Sequence, residues 1–130
     1  MKFAKFSLLA SAIGFAGFGL ALFIAPNLME SAGLSVIDPA GRIEIRAFYG
    51  GIELGLAMFF LIALKKDWIL PGLSVQIETN GFIVIARIVS LFMENFQANP
   101  TIYWSLAAEL SLLTLGVVAI RLYKRKQKEK

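Results

Sequence analysis

FSLLASAIGFAGFGLALFIA, residues 6–25, carries no charge and stops at Pro26. About 20 mostly apolar residues in a helix cross the hydrocarbon of a bilayer, and this run supplies them. Lys2 and Lys5 precede it, as they would precede a secretory signal. The run exceeds the usual signal core of about 7–15 residues, and its small-residue stretch Gly19-Leu20-Ala21 would place a cleavage inside it. The sequence therefore predicts a retained first transmembrane helix.

Three more runs of similar length follow. Residues 43–64 hold Arg46 and Glu53 well inside an apolar stretch, residues 68–92 hold Glu78, Asn80 and Arg87, and residues 102–122 hold Glu109 with Arg121 near the end. Pro71 suits a first turn better than a helix interior, so the third helix is expected to begin near Gly72. Short punctuation separates the runs: Lys65-Lys66-Asp67, then 94–100. The longer stretch 26–41 contains Gly33 and Asp38-Pro39, and within it 27–32 reads as a short interfacial helix. Short connections make consecutive helices antiparallel neighbours. The expectation is an all-α, integral membrane four-helix bundle, one domain over 1–130, with a basic tail at 123–130.

Composition agrees. The chain of 130 residues is 58% hydrophobic and 17% charged, whereas soluble domains keep roughly 25% of their residues charged. The net charge of +4 is concentrated in the run from Arg121 onward and in small clusters between apolar runs. Such a pattern fits positive-inside topology and attraction to anionic lipid rather than nucleic acid. Lys2, Lys5, Lys65, Lys66 and the tail fall on one side of a four-span layout, so both termini are expected in the cytoplasm. Trp68, Tyr103, Trp104 and Tyr123 lie near span ends, as an aromatic belt does. A bacterial inner membrane is the expected location.

Absent residue types exclude chemistry. There is no Cys and no His, which removes disulfides, thiolate chemistry, imidazole bases and imidazole or thiolate metal ligands. No cofactor and no metal site is expected. Three carboxylates could hold a hard cation, but arginines nearby disfavour it.

Charges inside a membrane cost several kcal/mol unless paired or wetted, so they face the bundle interior. At 100° per residue, Arg46, Tyr49, Gly50 and Glu53 share one stripe of the second helix, while Ala47, Gly51 and Gly55 share the other side. One face is thus expected to be polar, the other a small-residue packing surface. On the third helix Asn80, Arg87 and Glu94 align, with Gln76 nearby and Glu78 opposed. On the fourth, Ser105, Glu109 and Gly116 share a face. Glu53, Glu78 and Glu109 fall near mid-membrane, with Arg46 and Arg87 nearer the outer side. The predicted site is a cluster of Arg46, Tyr49, Gly50, Glu53, Asn80, Arg87 and Glu109, open toward the outer face. Glu78 is expected to face a cavity or a neighbouring subunit. The small glycines of the first span, Gly14, Gly17 and Gly19, read as packing positions.

With these residues in view, the chain resembles the DUF4345 family of small four-helix bacterial membrane proteins. The likeness rests on Arg46-Ala47-Phe48-Tyr49-Gly50-Gly51 with Leu54-Gly55-Leu56, and on Pro26, Gly33-Leu34, Ala86-Arg87, Ser90 and Glu109. It implies the fold and the importance of Arg46, Tyr49, Gly50, Gly51 and Arg87, and it implies no reaction. The family is in turn similar to DoxX-like membrane proteins, some of which partner quinone-linked oxidoreductases; this chain lacks the cysteines of some of those relatives.

Three functions compete. The polar cluster could bind the head of a lipophilic or anionic small molecule, such as a lipid, fatty acid or quinone. The chain could instead be an accessory or assembly subunit of a membrane complex, its charged cluster purely structural and its small-residue face docking a homo-oligomer or a partner protein. An enzyme or proton-coupled carrier using Glu53 or Glu109 is the weakest reading, because no nucleophile–base pair or phosphate loop is visible.

Overall fold

A computed structural model describes residues 1–129; the last residue of the predicted basic tail lies outside the described residues. The described chain is all-helical. Four helices are long and apolar enough to cross a membrane: α1 (Lys2–Ile24), α2 (Pro39–Lys65), α3 (Ile69–Met93) and α4 (Pro100–Lys128). A 3-10 segment, Pro26–Ala32, joins α1 to α2.

Local chemistry sets the boundaries. Pro26 has no N–H to continue α1 and instead opens the 3-10 turn. Gly33 closes that turn at a φ of 91°, a left-handed conformation that glycine adopts without steric penalty. Asp38 caps α2 by accepting from the Gly41 N–H at 2.8 Å, with Pro39 next in line. Asn99 caps α4 by accepting from the Ile102 N–H, again followed by proline. Both follow the preference for Asp or Asn at the cap and proline just inside. α3 begins at Ile69, three residues earlier than the sequence suggested. Pro71 is its third residue, where a helix has no use for the N–H that proline lacks.

α1 is the central element and touches the other three helices; α2 packs most extensively on α1, and α4 on α3. Lys5 of α1 pairs with Asp67 of the α2–α3 turn at 2.7 Å, which puts Lys2, Lys5, Lys65 and Lys66 at one end. Apolar burial divides in two. Toward that end Leu8, Ala12, Phe15, Ala57, Phe60 and Leu73 form the larger cluster. At the opposite end Leu22, Met29, Val36 and Ile45 form a smaller one. The outward surface is itself apolar, with Ile13 65%, Phe82 71% and Trp104 76% exposed. Lipid explains that surface, since soluble proteins rarely leave so much large apolar surface uncovered.

The second helix departs from the predicted phase. Residues Ile45–Gly51 form a π-helical stretch, in which each hydrogen bond spans one residue more than in an α-helix. One extra residue turns everything beyond it by about 100° relative to an uninterrupted helix. The buried positions run Ile45, Gly50, Ala57, Phe60 and Ala63, so Gly50 lies on the side that meets α1. Ala47, Gly51 and Gly55, expected as the packing face, are exposed. A Cβ on Gly55 would meet nothing within 4 Å. The close approach is made instead by Gly19 and Gly50. A Cβ on Gly19 would lie 2.9 Å from Glu53 Cβ and 3.0 Å from the Leu54 backbone nitrogen.

Candidate functional site

Four of the seven predicted site residues meet in the layer between the two apolar clusters. The strongest contact is between α3 and α4. Arg87 Nε donates to Glu109 Oε2 at 2.8 Å, and Nη2 donates to Oε1 at 2.6 Å. This is a bidentate, charge-assisted pair, the geometry that the planar guanidinium matches best. The pair is mostly shielded, with side chains 25% and 17% exposed.

The pair stands between two spaces. On the loop side, a cleft of about 590 Å³ is lined by Arg87, Ser90, Glu94, Gln97, Asn99 and apolar residues that include Ile83 and Ile102. Gly33, at the end of the 3-10 segment, forms part of its rim. On the other side, a cavity of about 180 Å³ is lined by Glu53, Asn80, Ser105 and Glu109 among apolar residues. Ile83 borders both spaces. Arg87 therefore faces the cleft, and Glu109 faces the cavity.

Arg46, Tyr49 and Gly50 do not join this site. Arg46 Nε donates to the Phe23 carbonyl at 2.9 Å, satisfying an acceptor in the last turn of α1 where a cation also suits the helix dipole. Tyr49 is 41% exposed and lines a separate surface groove with Leu34, Glu44 and Phe48. Gly50 packs against α1, where a Cβ would lie 3.3 Å from the Gly19 carbonyl oxygen. The π-helical stretch explains the separation: it rotates Arg46 away from Glu53, two residues that a regular helix would keep on one stripe.

A matching family model, described as a domain of unknown function (DUF4345), covers residues 3–120. The chain belongs to the DUF4345 family. No curated protein matches it, and no solved structure does. Within this DUF4345 chain, the stretch that carries the likeness, 46–51, coincides with nearly all of the π-helical stretch Ile45–Gly51.

One polar element, placed near the polar face of the third helix by the sequence but not counted in the cluster, proves central. Gln76 is fully buried and links three helices. Its Oε1 accepts from Ser7 Oγ of α1 at 3.1 Å, and its Nε2 donates to the Leu112 carbonyl of α4 at 2.8 Å. Gly116 provides the room: a Cβ there would sit 3.2 Å from Gln76 Nε2. The signal was present in sequence as an amide inside a membrane run, four residues before Asn80 and thus on its face. Glu78 points outward and is exposed.

Proposed function

We propose that this DUF4345 protein binds a lipophilic small molecule in the cleft beside Arg87, with the molecule's polar head on the guanidinium and its tail along apolar α3 and α4. The observation that carries this reading is the bidentate Arg87–Glu109 pair at the base of a cleft of about 590 Å³. That volume lies within the usual roughly 300–1,000 Å³ of small-molecule sites. Ile83 lies eleven residues before Glu94 along α3, so the cleft penetrates about 16 Å from the helix end.

Charge selects the head. An arginine has five N–H donors, and Glu109 takes two of Arg87's five, leaving three for a ligand. The ion pair is neutral as a unit, and Glu94 adds negative charge at the rim. A neutral acceptor, such as a quinone carbonyl or a lipid ester, suits this better than a fatty-acid carboxylate.

The test is binding of a short-chain quinone to detergent-purified protein, read by native mass spectrometry. Arg87→Gln combined with Glu109→Gln keeps the site neutral and the side chains similar in size. It should weaken binding about tenfold, the equivalent of one charge-assisted hydrogen bond. Unchanged quinone affinity in the folded double variant rejects the proposal.

A second reading has one supporting observation. Ala47, Gly51 and Gly55 form an outward stripe that the chain's own helices leave uncovered, as an assembly subunit's docking face would be. Consistent elution of the chain alone from mild detergent argues against it. For either reading we place both termini in the cytoplasm of a bacterial inner membrane. The support is the gathering of Lys5, the Lys65-Lys66 turn and, by the four-span path, the basic end of α4 at one end.

A further inference from the structure

The smaller cavity has a different chemistry from the cleft. Four side chains from three helices bring oxygen to it: Glu53 from α2, Asn80 from α3, and Ser105 and Glu109 from α4. Asn80 is 1% exposed. Its Nδ2 donates to the Gln76 carbonyl at 2.8 Å, one turn back in the same helix. That bond uses one of the two N–H groups of the amide; the second N–H and the oxygen, Oδ1, remain without a partner among the described residues. The guanidinium of Arg87 borders the cleft and not this space.

The charge does not balance. Glu109 is matched by Arg87. Glu53 has no ion-pair partner among the described residues, and Arg46 directs its Nε to the Phe23 carbonyl. With both carboxylates ionised, the layer carries one net negative charge. It is walled by Phe15, Phe18 and Leu112, and an isolated carboxylate in such surroundings is costly. The sequence-based case against a cation counted two neighbouring arginines; the geometry leaves one, already neutralised.

We infer that this cavity binds a single alkali-metal cation, sodium or potassium, held by the Glu53 carboxylate, Asn80 Oδ1, the Ser105 hydroxyl and the Glu109 carboxylate. A single positive charge balances the layer, and a divalent ion would overshoot it. The volume of about 180 Å³ equals that of roughly six waters at about 30 Å³ each, enough for an ion with part of its hydration shell. Hard cations prefer the all-oxygen set found here. Neither Glu53 nor Asn80 lines the cleft, so this inference stands apart from the small-molecule reading and is tested separately from it.

The experiment uses the full chain purified in detergent. Thermal unfolding is followed in sodium or potassium chloride against choline chloride at equal ionic strength, and carboxyl labelling by a hydrophobic carbodiimide is mapped by peptide mass spectrometry. Wild type should show a saturable rise in Tm with sodium or potassium, as a ligand that binds only the folded state requires. The same ions should protect Glu53 from the carbodiimide. Glu53→Gln should abolish the Tm rise, Ser105→Ala should shift its midpoint to higher salt, and the exposed Glu44→Gln should leave it unchanged. If Glu53→Gln does not fold, protection of Glu53 in wild type still decides the matter. Labelling that follows pH but ignores sodium and potassium assigns the charge to a proton and overturns the inference. A Tm rise that survives in Glu53→Gln, or no ion-specific effect at all, overturns it as well.

Discussion

Gly19→Ala and Gly55→Ala together test which face of α2 meets α1. At Gly19 the new Cβ would lie 2.9 Å from Glu53 Cβ, 3.0 Å from Leu54 Cγ and 3.0 Å from the Leu54 backbone nitrogen. None of these is the free end of a flexible side chain. Carbon atoms settle at about 3.5–4.0 Å, so α1 and α2 must part by several tenths of an ångström. Overpacking of this kind costs about 1–3 kcal/mol. At Gly55 nothing lies within 4 Å, and exchange of an unhindered helical glycine for alanine gains up to about 1 kcal/mol. The two variants should therefore differ by about 2 kcal/mol or more, with Gly19→Ala the less stable. Reversible unfolding in mixed micelles, followed by far-UV circular dichroism, reads the difference. If Gly55→Ala costs as much as Gly19→Ala, the small-residue stripe is the true packing face and the helix phase described above is wrong.

Two further outcomes follow from the polar layer. Gln76→Leu removes the acceptor for the buried Ser7 and the extra donor to the Leu112 carbonyl, which keeps its helical bond. It should destabilise the chain by about 1–3 kcal/mol in the same unfolding assay, and Ser7→Ala added to it should recover part of the loss; no recovery would mean that the bridge is not the cause. Arg87→Gln alone leaves Glu109 unpaired and should cost more stability than Arg87→Gln with Glu109→Gln, because a lone shielded charge is worse than none. Equal stability of the single and double variants would show that the pair is not energetically coupled.

The fold was legible to the extent that membrane physics writes itself into run length. Four apolar runs, two short punctuations and one longer stretch locate the starts of the helices to within about four residues, while the last helix runs six residues past its apolar run into the basic tail. Asn80, Arg87 and Glu109 were also readable, since α3 and α4 are regular and 100° per residue holds along them. The second helix defeated the same arithmetic. Nothing in Ile45–Gly51 announces a widened turn, and counting through it joined Arg46 and Tyr49 to Glu53 in one cluster, while Gly50 faces inward but packs on α1. Gln76 was visible but undervalued, because an uncharged amide draws less notice than an arginine although its burial is just as demanding. Position along a helix was readable; rotation about the helix axis was readable only where the helix was regular.

The widened turn in α2 has a genetic consequence. Its geometry amounts to one inserted residue, so removing a single codon between those for Ile45 and Gly51 would restore a regular helix without shortening the apolar run below what spans a bilayer. Because the wide turn already absorbs the extra residue, its removal would leave the loopward segment in the same orientation, with Arg46 still at the end of α1. A homologous gene one codon shorter in this stretch would thus encode an unbroken α-helix that turns the same faces toward α1.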